Sequence, residues 1–367
     1  MINFEESNNE FSKEQKLIDG YNERFRARAD NFQLPQIKFT RSFEKAQQKY
    51  HELNNTFFVA IPVKNQELII ISMIEKLICN MNNYFTIGLL FDNCDDLSEN
   101  FCIEYFEKNF HRHEMLLKVI FIKSFGELFE STSENVLSLF CNETYFVSFQ
   151  ADMELLDQSF FDRSIIAFKS VPNLFAISGR GIVPFKVASK FRKIVSKFIK
   201  FLYLPKKIFT SSKSLISLGP FIPYSDYFGD ISNYPSTKMR YSGNELETVF
   251  VGEAIIRGPI IWQNEIFRSL SGYNDIAFPL GRDECDLSFR AAKNGYVVGF
   301  LPAYCYSNPQ NGTSRKPRSP NVVDALNLRN KIAEKYPGEL THFWSRTSLK
   351  NTYKIEIRNR KFKLKLN

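Results

Sequence analysis

The sequence is poor in the residues that form compact metal centres. Its six cysteines include no C-x-x-C pair, and only four histidines occur among 367 residues. Neither a zinc knuckle nor a disulfide framework is therefore predicted from the spacing of these residues. Tryptophan is also scarce, with two residues, whereas phenylalanine is abundant with 37, which we interpret as filling of an apolar core.

Long apolar segments are missing as well. No uninterrupted apolar run reaches the roughly 18 residues of a membrane-spanning helix. The first residues, MINFEESNNEFSKEQ, are polar and acidic, so a secretory signal peptide is not expected. Together with the absence of a disulfide pattern, these features predict a cytoplasmic location.

Acidic residues are absent from one long stretch. Residues 169–213 contain 11 lysines and arginines and no aspartate or glutamate, although the whole chain has a net charge of +8. Such a local basic surface predicts an anionic partner. Within it, residues 187–204 place apolar side chains along one side of a predicted helix and lysines mostly on the other.

Three interpretations of residues 187–204 are open. The segment could pack on the core with solvated lysines, lie on an anionic membrane surface, or bind nucleic acid. Lysine and phenylalanine without acids suit anionic lipid, which would make the protein peripheral on the inner face of a membrane. No recognition motif accompanies the basic residues, so we expect no nucleic-acid partner.

What the sequence does contain is a regular alternation of apolar strands and helices. Five runs without polar alternation predict strands that are buried on both faces: 56–63, 84–93, 116–124, 144–152 and 173–181. Segments of helical length separate the first four: 66–81, 98–110 and 125–141. The alternation predicts an α/β fold with a mostly parallel sheet flanked by helices.

The regions before and after this alternation differ from it in composition. Residues 1–55 are polar and rich in helix formers, which predicts a mostly helical N-terminal extension. Residues 311–367 are predicted to form a basic C-terminal tail. Between them we expect one domain, residues 56–310, with a basic amphipathic insertion at about 184–204.

Acidic residues follow two of the predicted strands. The second strand ends in FDNCDD, which contains Asp92, and the fourth in QADMEL, which contains Asp152 and Glu154. Ligands of parallel sheets bind outside the carboxyl ends of the strands, which is where these residues are expected. The alternative for Asp92 and Asp152 is capping of a turn or helix, and Glu154 is interpreted as a solvated acid or a secondary contact.

Four short motifs occur in a fixed order: PVKN at 62–65, FDNCDD at 91–96, QAD at 150–152 and RDECDLSFRAAKNGY at 282–296. Together they resemble the family 2 glycosyltransferases with the GT-A fold, over about residues 56–310. The resemblance implies a GT-A-type, Rossmann-like sheet and inverting transfer of a sugar from a nucleotide-sugar donor. It also implies a donor half at 56–155 and an acceptor half at 156–310.

The resemblance assigns roles to the residues at the strand ends. The implied nucleotide-binding residues are Pro62, Val63, Asn65, Asp92, Gln150 and Ala151. Asp92 matches the residue that receives the nucleobase, and its carboxylate could accept a hydrogen bond from the imide N–H of uracil, which favours UDP. Asp152 matches the last Asp of the family's Asp-X-Asp motif and is the implied ligand of Mg²⁺ or Mn²⁺, while Gln150 replaces the first.

Asp283 and Glu284 lie where the family has Glu-Asp, in inverted order. The resemblance implies that one of them is the general base, with Glu284 ranked first because it aligns with the family's Asp. A carboxylate within hydrogen-bond reach can take the proton of an acceptor hydroxyl. Helix capping is the alternative role of Asp283. The family's histidine after the last strand has no counterpart here.

These implications define the expected function. We expect a hexosyl- or N-acetylhexosaminyltransferase that acts on a glycan or lipid-linked acceptor in surface polysaccharide synthesis. The alternative is a catalytically inactive relative that binds nucleotide-sugar or glycan. A nucleotidyltransferase or a dehydrogenase would need a glycine-rich loop after the first strand, and IPVKNQELI contains no glycine.

Overall fold

Two sheets and six α-helices make up the described part of this computed structural model. The described residues are 32–40, 55–179, 247–252, 255, 258–275, 283–301, 303, 305–307 and 361–363. The strands are β1 Phe32–Thr40, β2 Phe57–Val63, β3 Phe85–Asp92, β4 Leu116–Ser124, β5 Tyr145–Ser148, β6 Met153–Leu155, β7 Leu174–Ser178, β8 Thr248–Gly252, β9 Ile260–Gln263, β10 Val297–Phe300, β11 Cys305–Ser307 and β12 Lys361–Lys363. The helices are α1 Ile70–Cys79, α2 Ser98–Asn109, α3 Phe129–Ser138, α4 Phe160–Ser170, α5 Asn264–Ser269 and α6 Asp283–Lys293, and a 3₁₀ turn at Phe110–Arg112 follows α2.

The large sheet has the strand order β1-β4-β3-β2-β5-β9-β7-β10-β8-β12. Strands β1, β8 and β9 run opposite to the other seven, so the sheet is mixed but mostly unidirectional. This arrangement confirms the predicted α/β class with helices flanking the sheet.

The order of the central strands predicts a ligand-binding crevice. The chain runs from β2 to β3 to β4 in one direction across the sheet, and then returns so that β5 pairs with the free side of β2. The direction of winding therefore reverses between β2 and β5. In open α/β sheets, ligands bind at the carboxyl ends of the strands that flank such a reversal.

Strand β2 shows why the apolar runs are continuous. Phe57, Val59 and Ile61 belong to the apolar cluster on one face of the sheet, whereas Phe58 and Ala60 belong to the cluster on the other. Successive side chains of a strand point to opposite faces, so a strand covered on both sides needs an apolar residue at every position. Helix α1 buries one stripe against this sheet: Ile70, Met73, Ile74, Leu77 and Ile78.

The predicted strands and the observed ones differ at the carboxyl end of the sheet. Strand β5 ends at Ser148, four residues before the predicted end, because the chain turns and the amide of Met153 donates to the carbonyl of Gln150 at 3.0 Å. Further along the chain, β10 and β11 are two separate short strands. Strand β11 leaves the large sheet and pairs with β6.

The N-terminal region contains a strand where a helix was expected. Residues Phe32–Thr40, within the predicted helical extension 1–55, form β1 and pair antiparallel with β4. Strand β4 would otherwise be the open edge of the sheet, and β1 satisfies its backbone groups. Phe39 packs against Phe106, Phe110 and Phe121, with ring centroids 5.6–6.2 Å apart.

The predicted C-terminal tail also contributes a strand, since β12 pairs with β8. The predicted basic amphipathic segment at 187–204 lies outside the described residues, so its association with membrane lipid stays a prediction. Within the described ranges, no helix is both long enough and apolar enough to cross a membrane.

Candidate functional site at the carboxyl edge of the sheet

The loops after β2 and β3 are joined by a ladder of polar contacts. The Asn65 side chain accepts from the amide of Asp95 at 3.0 Å and donates to its carboxylate at 3.4 Å. One step further, the amide of Glu67 donates to Asp96, and the amide of Leu97 donates to Glu67, both at 3.0 Å. Asn65 has a φ of 50°, a left-handed conformation that asparagine tolerates well. The predicted nucleotide residue Asn65 therefore shapes the rim of the crevice.

Two further predicted nucleotide residues belong to the end of β2 itself. Pro62 is half-buried and lies opposite Leu90 of β3, while Val63 is fully buried opposite Phe91. The carbonyl of Val63 accepts a hydrogen bond from the Cys94 thiol at 3.2 Å. Val63 therefore offers no exposed side chain, and any contact with a nucleotide would come from its backbone.

Asp92 is buried at the end of β3, where it receives three hydrogen bonds. Its Oδ1 accepts from the amide of Leu128 at 2.8 Å and from the hydroxyl of Ser124 at 3.0 Å, and its Oδ2 accepts from the amide of Phe129 at 3.2 Å. Burial raises the pKa of Asp92, and these bonds and Lys64 oppose that shift. The carboxylate caps the first turn of α3, whose N–H groups have no partner within the helix.

Gln150 joins the end of β5 to the same helix. Its Nε2 donates to Oε1 of Glu130, in the first turn of α3, at 2.9 Å. Ala151 is buried and Asp152 is half-buried, so the predicted metal ligand is partly exposed. Glu130 was not predicted as a site residue, because an acid in the first turn of a helix is expected from the helix dipole alone.

The small sheet fixes the surroundings of Asp152. Strand β6 begins one residue later, and its Met153 lies opposite Ser307, the last residue of β11. Strand β11 is the described part of the segment where the resembled family has its histidine, and it therefore ends opposite the residue that follows Asp152. Glu154 forms an ion pair with Lys76 of α1 at 2.6 Å, so it holds β6 against α1 rather than being only solvated.

Asp283 and Glu284 are both buried at the start of α6. Oδ2 of Asp283 accepts a hydrogen bond from the hydroxyl of Ser131 at 2.7 Å. Because Ser131 follows Glu130 in the first turn of α3, the predicted catalytic pair is brought to the same turn as Gln150. Asp92, Gln150 and Asp283 are thus all hydrogen-bonded to four consecutive residues, 128–131, although Gln150 and Asp283 lie more than 130 positions apart in the sequence.

Two polar clamps hold α6 and the chain before it in this position. Asn135 of α3 binds both backbone groups of Tyr273, accepting from the amide and donating to the carbonyl at 2.9 Å each. Arg290 of α6 pairs with Asp286 at 2.8 Å and donates to the carbonyl of Gly272 at 2.6 Å. Arg290 therefore joins α6 to the chain before it.

Few protein side chains near Asp152 could act as ligands of a divalent cation. No group of three or more metal-ligating side chains is present in the part of the chain that the structure describes. Mg²⁺ and Mn²⁺ at nucleotide sites need only one or two carboxylates, because phosphate oxygens and water complete the shell. Asp152 with the amide oxygen of Gln150 fits that type of site.

No protein-family model matches the chain, and no curated protein matches it significantly. Among solved structures, it is similar to the mannosyltransferase PcManGT from Pyrobaculum calidifontis in complex with GDP-Man and Mn²⁺. The identity is 11% and the TM-score 0.45, over 81% of this chain and 74% of that one.

Two other solved structures show a similar degree of likeness. TarS 1-349 from S. aureus, in complex with UDP-GlcNAc, has 14% identity and a TM-score of 0.44 over 76% of this chain and 65% of that one. GalNAc-T7 with UDP, GalNAc and Mn²⁺ has 8% identity and a TM-score of 0.46 over 80% and 50%.

Proposed function

We propose that this protein is a GT-A-type glycosyltransferase that moves a sugar from a nucleotide-sugar donor to a glycan or lipid-linked acceptor, with inversion. One observation carries the proposal. Three segments predicted to bind donor, cation and acceptor meet at the first turn of α3, beside the reversal between β2 and β5. We infer UDP as the nucleotide and surface polysaccharide synthesis as the setting.

The reaction needs one proton acceptor and one stabilised leaving group. The acceptor hydroxyl oxygen attacks the anomeric carbon while the bond from that carbon to the diphosphate oxygen breaks, and the nucleoside diphosphate leaves with the bonding electrons. Attack opposite the leaving group inverts the anomeric centre. We infer that Glu284 or Asp283 takes the hydroxyl proton, since a carboxylate within hydrogen-bond reach can act as a general base.

The leaving diphosphate gains negative charge during this step. A divalent cation held at Asp152 and Gln150 would neutralise part of that charge. Within the chain, the contribution of Asp152 is to place one carboxylate at the crevice mouth. The backbone at Pro62 and Val63 and the side chain of Asn65 would then border the nucleotide.

Nucleotide binding tests the proposal directly. We expect UDP-sugars with Mn²⁺ or Mg²⁺ to raise the melting temperature of the full chain, because a ligand at about 100 times its Kd stabilises by about 2.7 kcal/mol. Asp152→Ala should lose the cation-dependent part of this shift. The matched control is Glu154→Ala, since Glu154 lies two residues away and pairs with Lys76.

Three outcomes would change the assignment. If no nucleotide-sugar stabilises the wild-type protein, the proposed function is wrong. If UDP binds but no sugar is released in a donor-hydrolysis assay with Mg²⁺ or Mn²⁺, the protein is instead a binding relative without turnover. Wild-type behaviour of Asp152→Ala would remove the metal assignment alone.

A further inference from the structure

Gln150 occupies the reversal point of the sheet, and its side chain is fixed there by Glu130. The residue before it, Phe149, still donates its amide to the carbonyl of Ala60 in β2 at 3.0 Å. Gln150 is thus the first side chain beyond the paired part of β5. Its Nε2 donates to Oε1 of Glu130 at 2.9 Å.

This contact decides which end of the Gln150 amide faces Glu130. A carboxylate only accepts hydrogen bonds, so the group that faces Glu130 must be the NH₂ group. The oxygen Oε1 lies on the other branch of the amide. Gln150 therefore has an acceptor oxygen left to offer a ligand, which is the chemistry of the aspartate at this position of the family's motif.

Glu130 is well placed to impose this orientation, because both of its neighbours in the sequence are anchored. The amide of Phe129 donates to the buried carboxylate of Asp92 at 3.2 Å. The hydroxyl of Ser131 donates to the buried Asp283 at 2.7 Å. The first turn of α3 is therefore bound to both β3 and α6, and Glu130 projects from a rigid element rather than from a loose loop.

We propose that Glu130 is a positioning residue of the donor site, which holds the oxygen of Gln150 toward the cation and diphosphate at Asp152. The inference rests on the proposed function, and it goes beyond the motif resemblance, which assigns no role to Glu130. It explains how glutamine can stand at a position where the family has a carboxylate: the missing negative charge is supplied from α3, 2.9 Å away from the amide nitrogen.

The charge of Glu130 has a second consequence. Glu130 and Asp152 both place negative charge near the crevice, and a bare diphosphate is repelled by such charge. A divalent cation between the carboxylates and the diphosphate offsets that repulsion. Removing the charge of Glu130 should therefore weaken the effect of the cation on UDP binding while leaving cation-free binding unchanged or tighter. A purely structural defect would weaken both.

Calorimetric titration of the full chain with UDP, in Mn²⁺ and in chelator, tests this. We expect Mn²⁺ to tighten UDP binding to the wild type, and Glu130→Gln to reduce that enhancement by about tenfold or more, the usual effect of removing a group that orients a metal ligand. Glu130→Asp should restore part of it. Glu154→Gln, an acid in the same region that pairs with Lys76, should retain all of it.

The possible results are distinguishable. Full Mn²⁺ enhancement in Glu130→Gln overturns the role of Glu130 and leaves the glycosyltransferase proposal intact. A wild-type protein that binds no nucleotide, with or without Mn²⁺, overturns both. If Glu130→Gln does not fold, Gln150→Ala removes the same hydrogen bond from the other side, and retained enhancement in that variant also overturns the inference.

Discussion

The carboxylate of Asp92 already has hydrogen-bond partners within the protein on both of its oxygens. Its two oxygens accept three hydrogen bonds, from Ser124 and from the amides of Leu128 and Phe129. The amide of Phe129 belongs to a residue with a φ of 64°, a left-handed conformation that costs a bulky side chain free energy. Asp92 thus holds a strained turn, and a nucleobase would have to use the remaining acceptor capacity of Oδ2.

Asp92→Asn separates these two roles. Whichever way the amide is placed, its NH₂ group faces a backbone N–H, so one buried donor loses its acceptor. We expect the free energy of unfolding in urea to fall by about 1–3 kcal/mol. The exposed Asp95→Asn in the next loop should change it by less than about 0.5 kcal/mol. Unchanged stability with weakened UDP binding would show that Asp92 serves the nucleotide and not the helix.

Helix α3 is the element that the sequence describes least well. Its residues FESTSENVLS are largely polar, a composition typical of a solvent-exposed helix, yet every residue from 131 to 138 is buried. The helix packs on β2 and β3, and its polar side chains meet partners far along the chain, such as Tyr273 and Asp283. Periodicity within ten residues carries no information about partners some 140 positions away.

The strands that could be predicted are those whose burial is complete. Every residue of β3 is buried, and its apolar run predicts its bounds to within one residue at each end. Strand β1 could not be predicted in this way. It is an edge strand with β4 as its one neighbour in the sheet, and about half of its sequence, FQLPQIKFT, is polar. The order of the motifs predicted which residues lie at the carboxyl edge, whereas the contact between Glu130 and Gln150 required the structure.

Phe39 tests whether β1 is an integral part of the sheet. Its ring packs on Phe106, Phe110 and Phe121 with centroid distances of 5.6–6.2 Å, and it is half-buried. We expect Phe39→Ala to lower the free energy of unfolding by about 2 kcal/mol, less than for a fully buried ring. Thr40→Ala, at the exposed next position, is the matched control. Equal stability of the two variants would show that β1 is dispensable.

At the scale of the whole molecule, the two edges of the sheet differ in what they bury. The carboxyl edge gathers the candidate site, while the amino edge buries a carboxyl group with no proposed role in it. Glu143, just before β5, accepts hydrogen bonds from the hydroxyl of Thr86 and from the amide of Asn142, the latter at 2.9 Å. Asn264 donates to the backbone carbonyl of Glu143, and Arg268 donates to that of Cys141. This network joins β3, the segment before β5, and α5.

Glu143 makes the stability of the fold depend on pH. Burial raises its pKa above 4.5, the value of an unperturbed glutamate, although its hydrogen bonds and Lys118 oppose the shift. In the pH range between 4.5 and the raised pKa, the folded protein keeps a proton that the unfolded chain has released. Because the native state binds more protons there, the contribution of Glu143 to the free energy of unfolding is full below pH 4.5 and is lost as the pH rises through the folded pKa.

Glu143→Gln isolates this contribution. Glutamine has nearly the same shape, can accept from the amide of Asn142 and donate to Thr86, and does not titrate. Relative to this variant, the wild type should lose stability as the pH rises above 4.5, by at most about 1.4 kcal/mol per pH unit. Urea unfolding of both proteins at a series of pH values measures the difference.

Glu107→Gln, which changes an exposed acid on α2, should show the same pH dependence of stability as the wild type. A Glu143→Gln variant that also runs parallel would show that the folded protein does not hold this proton. The pH dependence would then have to come from other buried acids, of which Asp92 has a pKa that burial also raises.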